Sequence, residues 1–236
     1  MLLDEDGDDP FPAGADVFDE TFCEDQVYTL LGQELKIRQM FGAQLGVAAP
    51  VWDAALHLCR FMEKHGVELR GKRVVELGAG TGVVGIAASL IGAHVTLTDL
   101  PLALTQLQAN VNLNAPPGGW LSVPPAVLPL SWGQDHTRFS SDWDLVLGTD
   151  IVYLPETFPL LLETLAHLCK RGATVYLSSK MRAEHKTSEF FEDYLSRRFH
   201  VELVEHDEEQ NIHIFRAHLT KDRSPPLNVD AFTEQQ

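Results

Sequence analysis

The sequence predicts an α/β fold: a mostly parallel sheet covered by helices on both faces and closed by an antiparallel hairpin. Three observations predict it. From Arg73 to Ser178, short apolar runs alternate with helical segments, the pattern of parallel strands joined by helical crossovers. The first of these runs leads through the glycine-rich turn Gly78-Ala-Gly-Thr-Gly82 into a helical stretch. The C-terminal third carries two alternating segments, Phe199 to His206 and Asn211 to His218, separated by Asp207-Glu-Glu-Gln. That separation is a hairpin signal.

In chain order, Val27 to Leu31 and Leu35 to Gln39 read as two short strands turning at Gly32-Gln33-Glu34, an N-terminal β-hairpin extension. Val51, Ala54, Ala55, Leu58 and Met62 recur at helical spacing behind Pro50, so a helix is expected to about Lys64, ended by Gly66. Arg73 to Leu77 is a strand, and Val83 to Leu90 is the helix after the glycine turn. His94 to Thr98 is a second strand, ending at Asp99, and Pro101 with Leu104, Leu107 and Val111 marks a further helix. A Pro/Gly-rich loop follows from Pro116 to Pro125, then strands through Val127 to Leu130 and Asp144 to Thr149. Phe158 to Leu168 is helical, Ala173 to Ser178 is a strand, and Glu189 to Arg197 is helical again.

The 236 residues hold 34 Asp and Glu against 18 Lys and Arg, a formal net charge of −16. That balance disfavours a nucleic-acid binder, whose phosphate contacts need clustered basic side chains. Eleven of the acids precede Lys36, where there is no basic residue, while the other 23 face all 18 basic residues. The stretch 1–19 therefore reads as a solvated, disordered acidic lead, 20–220 as a single domain, and 221–236 as a loose polar tail. Within the domain, 27–65 forms the hairpin and first helix, and 66–220 forms the sheet core.

Other classes are disfavoured too. The longest apolar stretch, Val83 to Ala93, is about half the ~20 residues a membrane span needs. Met-Leu-Leu-Asp-Glu-Asp has neither a basic region nor a following apolar run, so no signal peptide is expected. Cys23, Cys59 and Cys169 have no paired spacing, which fits a reducing compartment and gives no metal motif. The scattered histidines of the C-terminal third read as surface or structural side chains.

The segment that bears chemistry is Val75-Glu-Leu-Gly-Ala-Gly-Thr-Gly82. Its glycines permit tight turns and close approach of a ligand at the carboxyl edge of the sheet. Gly80-Thr-Gly-Val-Val-Gly85 also satisfies a dinucleotide fingerprint, with Asp99 near the distance expected for a ribose contact. Glu76 and ligand charge separate the two readings. A carboxylate beneath a helix N-terminus opposes a pyrophosphate, whereas it favours the ammonium and sulfonium of S-adenosylmethionine.

The sequence resembles the seven-β-strand class I methyltransferases, which implies a Rossmann-like seven-stranded sheet with the C-terminal antiparallel hairpin. Val51-Trp-Asp-Ala-Ala, Thr98-Asp-Leu-Pro, Ser131-Trp-Gly and Asp150-Ile-Val-Tyr153 are similar to the methyltransferase-like 21 group of protein-lysine methyltransferases. The similarity spans roughly Val27 to His218. It implies S-adenosylmethionine as cofactor, held by Trp52, Glu76, Gly78, Ala79, Gly80, Gly82, Asp99, Trp132 and Thr149, with Trp132 on the adenine side and Asp99 at the ribose. Thr149 stands where the group is expected to carry Ala, and its hydroxyl is expected to shift the fit slightly. Asp150 and Tyr153 follow a buried strand, and the resemblance implies that they receive and orient the substrate lysine. A helix cap by Asp150 and a core role for Tyr153 is the alternative. No metal is implied.

The resemblance further implies a cytoplasmic enzyme acting on elongation factor 1-alpha. Another protein such as a chaperone is the alternative substrate, and a donor-binding interaction protein without activity the alternative class. No nucleic acid and no membrane are expected as partners. Two segments are candidates to face substrate: Ser178 to His185, just after a strand, and Asp207-Glu208-Glu209, an acidic hairpin turn that suits a basic protein surface. A solvated loop and a turn that merely prevents edge pairing are the respective alternatives. Deleting residues 1–18 is expected to leave donor affinity unchanged and to weaken the salt dependence of methylation, measured between 50 and 300 mM salt. An unchanged salt dependence would reduce the acidic lead to a solubility tail.

Overall fold

A computed structural model describes residues 22–42 and 45–220, so the acidic lead and the C-terminal tail lie outside the described residues. Two strands, β1 (Phe22–Leu30) and β2 (Gln33–Phe41), pair antiparallel. The turn sits at Leu31-Gly32, with positive φ at both residues (52° and 68°), one step earlier than the spacing suggested. Such a two-residue turn matches strand twist and starts β2 two residues earlier than expected, and both strands also run farther from the turn than the expected segments. Helix α1 (Asp53–Lys64) begins two residues later than the apolar period, because Trp52 is extended at its N-cap.

The main sheet contains β3 (Arg73–Leu77), β4 (His94–Asp99), β5 (Ala126–Pro129), β6 (Leu145–Thr149), β7 (Thr174–Lys180), β8 (Phe199–Asp207) and β9 (Ile212–Leu219). Its order is β5-β4-β3-β6-β7-β9-β8. Strands β3 to β7 are mutually parallel, and β9 is antiparallel to both β7 and β8. The chain steps outward from β3 to β5 and then returns beside β3 as β6. The carboxyl ends of β3 and β6 are therefore a topological switch point, where open α/β sheets bind ligands.

Period-two alternation divides the core. Val74 of β3 faces the layer of α1, α2 (Val83–Leu90) and α3 (Leu104–Leu113), whereas Val75 and Leu77 face α4 (Phe158–Leu168). The expected regular helix from Glu189 to Arg197 is instead irregular: an α turn at Thr187–Glu189, a π turn at Phe190–Tyr194 and a 3-10 turn at Leu195–Arg197. Adjacent Phe190 and Phe191 are both buried there, against Phe158 and Phe215 respectively. The wider π turn accommodates two neighbouring aromatic rings on the inner side.

The N-terminal hairpin is attached by amides. Gln106, Asn110 and Asn114 stand one turn apart on α3 and its C-cap, and their side-chain oxygens accept the N–H groups of Met40, Arg38 and Lys36 at 2.7, 2.8 and 2.9 Å. Asn110 also donates to the carbonyls of Arg38 and Thr81, both at 3.0 Å, and Asn114 to that of Lys36. The helix thus serves the free edge of β2 as a neighbouring strand would. Asn110→Ala leaves three backbone groups without this partner and is expected to lower the unfolding free energy by about 2 kcal/mol or more. Urea denaturation checks this, with exposed Gln108→Ala as the control expected to change little.

Candidate functional site

A cavity of about 550 Å³ opens at the carboxyl ends of β3, β4 and β6. Its floor is the turn after β3. Gly78 lies at φ +59°, and a Cβ there would stand 2.6 Å from the Ile151 side chain, so the turn needs glycine for both its backbone and its neighbour. The Ala79 N–H donates to the Thr98 carbonyl at 2.9 Å, and the Gly80 N–H donates to Asp99 Oδ2 at 2.7 Å. Asp99 Oδ1 accepts the Leu100 N–H at 2.7 Å. One carboxylate thus holds the turns after β3 and β4 in a common frame. Burial raises its pKa, and the two N–H groups oppose the rise.

The walls are aromatic and apolar. Trp52 is fixed by donation from Nε1 to the Val47 carbonyl at 2.9 Å. Trp132 stands over Gly78. It is carried on a turn in which Asp135 accepts the Ser131 N–H at 2.8 Å and Thr164 accepts that of Gly133 at 3.0 Å. Leu45 to Ala48 and Leu100 complete the walls.

After β6, Asp150 has left-handed backbone (φ +51°), with its N–H on the Ser178 carbonyl at 2.8 Å. Its Oδ1 accepts the Lys180 N–H at 2.8 Å and faces Arg182 Nη1 at 3.3 Å. Burial raises the Asp150 pKa, while the Lys180 N–H and the Arg182 charge oppose the rise. Tyr153 lines the same cavity, and its pKa is raised by burial and then by the negative charge of Asp99.

The cavity brings together Trp52, Gly78, Ala79, Gly80, Asp99, Trp132, Thr149, Asp150 and Tyr153. Two residues expected against the ligand do not line it. Gly82 packs on Leu107, Ile86 and Leu97. Glu76 is 1% exposed and accepts the Gly85 N–H at 2.8 Å with Oε2. Helix α2 begins after Gly82, whose lack of a side chain leaves the helix without an ordinary N-cap, and Glu76 reaches up from β3 to supply one. Its role is to position the turn, and its carboxyl occupies an N–H that a pyrophosphate would otherwise seek.

Sequence reasoning assigned no site role to Leu45 to Ala48, Gln134 or His185 individually, and Arg182 entered only within a candidate segment. The acidic turn after Asp207 stands at the same sheet edge, since Lys180 pairs with Ile212 and the Met181 N–H donates to the Asn211 carbonyl at 2.8 Å. No cluster suited to a metal ion occurs among the described residues.

A family model described as lysine methyltransferase matches residues 30–197. The chain is 54% identical over 207 residues to EEF1A lysine methyltransferase 3 of Mus musculus, covering 88% of each. It is 48% identical over 191 residues to protein N-lysine methyltransferase METTL21A of Danio rerio, covering 80% of this chain and 85% of that one. Among solved structures, the 16S rRNA N2 G1207 methyltransferase of T. thermophilus, in complex with AdoMet and guanosine, shares the fold at a TM-score of 0.61 and 20% identity, over 84% of this chain and 51% of that one.

Burial pushes the Glu76 pKa up to about 8, against the ~4.3 of a free glutamate. A raised folded pKa means that the neutral form is favoured in the fold, so its stability contribution is full below ~4.3 and is lost as pH rises to about 8. Glu76→Gln keeps an acceptor for Gly85 and removes the ionisation. The variant is expected to gain thermal midpoint relative to the parent between pH 5 and pH 8.5, checked by melting across that range. Parallel curves would contradict the assignment.

Proposed function

The chain belongs to the lysine methyltransferase family, and we propose that it transfers a methyl group from S-adenosylmethionine to a lysine side chain of elongation factor 1-alpha. One observation supports the chemistry: the glycine turn, Asp99, Asp150 and Tyr153 line a single cavity. The substrate assignment draws on the mouse relative, whose name specifies that target and which matches over 88% of its length.

The residues present fit this cofactor. The Gly78–Gly80 turn lines the cavity with backbone, Asp99 presents a carboxylate suited to hydroxyl donors, and Trp132 offers a flat face suited to a nucleobase. Glu76 makes the start of α2 unfavourable for a phosphate. When bound, S-adenosylmethionine supplies an electrophilic methyl on a sulfonium. Asp99 and the Gly78–Gly80 backbone would hold it, with Trp52, Trp132 and Thr149 lining the cavity around it.

Asp150 and Tyr153 orient the lysine amine by hydrogen bonding. The apolar walls exclude water, which favours the neutral amine that must attack. Positioning of amine against methyl provides much of the rate, and no side chain forms a covalent intermediate. The free cysteines and the absence, among the described residues, of any helix able to cross a membrane support a cytoplasmic enzyme. The acidic turn at the site edge suits a basic protein surface.

Elongation factor 1-alpha from cells lacking the activity, incubated with the protein and labelled donor, is expected to gain methyl groups on lysine by mass spectrometry. Asp99→Ala is expected to weaken donor binding about 10- to 100-fold, since hydrogen bonds to charged groups are worth about 1.5–3 kcal/mol. Asp150→Asn is expected to leave donor affinity intact and lower kcat/KM about 10-fold or more. Labelling confined to another protein, such as a chaperone, would keep the reaction and overturn the substrate. Donor binding with no transfer would overturn the enzymatic reading.

A further inference from the structure

Arg182 is the one lysine or arginine whose side chain lines the cavity among the described residues. It bridges two walls. Nη1 lies 3.3 Å from Asp150 Oδ1, and the guanidinium carbon stands 5.7 Å from the centre of the Trp52 ring. The Asp150 side chain is 6% exposed and that of Arg182 21%, so the ion pair sits inside the cavity rather than at its rim. The Lys180 N–H holds the same carboxylate oxygen from β7.

This pairing answers a difficulty in using a carboxylate to receive a lysine. The attacking amine must be neutral, and an unperturbed lysine with pKa ~10.4 is neutral in roughly one molecule in 2,500 at pH 7. An unpaired carboxylate beside it raises that pKa by about 1–3 units and makes the neutral form rarer still. A fixed guanidinium on the same carboxylate cancels that field. Other polar groups facing the pair come from several elements: Lys180 on β7, Tyr153 after β6, Asp99 at the end of β4, whose charge reaches Tyr153, and His185, whose buried Nδ1 has no partner. Arg182 is the closest charge to Asp150 among them.

We propose that Arg182 is a positioning residue that neutralises Asp150, so that the site orients the substrate lysine without retaining it as an ammonium. The inference rests on the reading of this cavity as the site of lysine methylation. The proton lost by the incoming ammonium leaves for solvent before transfer. Arg182 accepts no proton itself, because its guanidinium remains charged throughout.

The test compares the parent with Arg182→Met and Arg182→Lys, using S-adenosylmethionine and elongation factor 1-alpha between pH 6.5 and 10. In Arg182→Met, the pH of half-maximal kcat is expected to rise by about 1 unit or more, with donor affinity unchanged. Arg182→Lys restores the parent profile. The shift should vanish when Asp150→Asn is present in both backgrounds.

A second readout needs no turnover. With S-adenosylhomocysteine in the donor site, calorimetry in buffers of different ionisation enthalpy counts the protons released when the substrate binds. The parent is expected to release more than Arg182→Met. Equal loss of kcat at every pH, with unchanged proton release, would show that Arg182 only pins the segment after β7. A parent that methylates no lysine at all would sink the reading of the cavity itself, and this inference with it.

Discussion

The row of amides on α3 is the constraint on which the site depends. Side chains four residues apart on a helix rise about 6 Å, and alternate residues of a strand are separated by about 6.6 Å. The two repeats are close enough for Gln106, Asn110 and Asn114 to meet Met40, Arg38 and Lys36 in register. An edge that would otherwise offer unpaired N–H groups is satisfied without another strand. The row also reaches the cavity wall. Gln106 donates to the Ala48 carbonyl at 2.7 Å, and Gln39 of β2 accepts the Val51 N–H at 2.7 Å. The hairpin thereby carries the segment that leads into Trp52.

A second set of polar contacts works inside the sheet. Glu76 caps α2, the Thr98 hydroxyl donates to the Glu76 carbonyl at 2.6 Å, and Asp99 holds Gly80. Each joins β3 or its turn to a neighbouring element, so the glycine turn is held from below and from one side. Burying these acids has a cost, visible in the raised pKa values of Glu76 and Asp99. In return the turn presents a rigid backbone, with the Gly85 N–H at the start of α2 already occupied and so closed to a phosphate.

Much of this was legible in the sequence because it rests on local patterns. Arg73 to Leu77 and Phe158 to Leu168 show their type through apolar runs and periodicity, and they match β3 and α4 residue for residue. The glycine turn and Asp99 are read from spacing. Glu76 was visible as an acid at a strand end, but period two alone does not tell whether its carboxyl meets a ligand or the N–H of a helix nine residues on. Arg182 lies 32 residues from Asp150, and no spacing rule connects a residue beyond one strand to the end of its neighbour. The π turn at Phe190–Tyr194 escaped for a related reason, since adjacent aromatics break helical periodicity without signalling what replaces it.

Charge shows the same difference between counting and placing. A net charge of −16 describes the chain, yet the acids near the sheet edge differ in reach. Asp207 pairs with His57 at 2.9 Å, and Glu205 with Lys64 and His65 at 3.2 and 3.0 Å. Among the described residues, Glu208 and Glu209 enter no such pair. A paired exposed charge projects little field beyond its partner, and salt screens the remainder within about 8–10 Å. Asp207 is thereby fixed against His57, while Glu208 and Glu209 are the carboxylates of the acidic turn left to meet an approaching basic surface. Inside the cavity the same pairing principle acts at closer range, where Asp150 can shape a hydrogen bond while Arg182 limits its field.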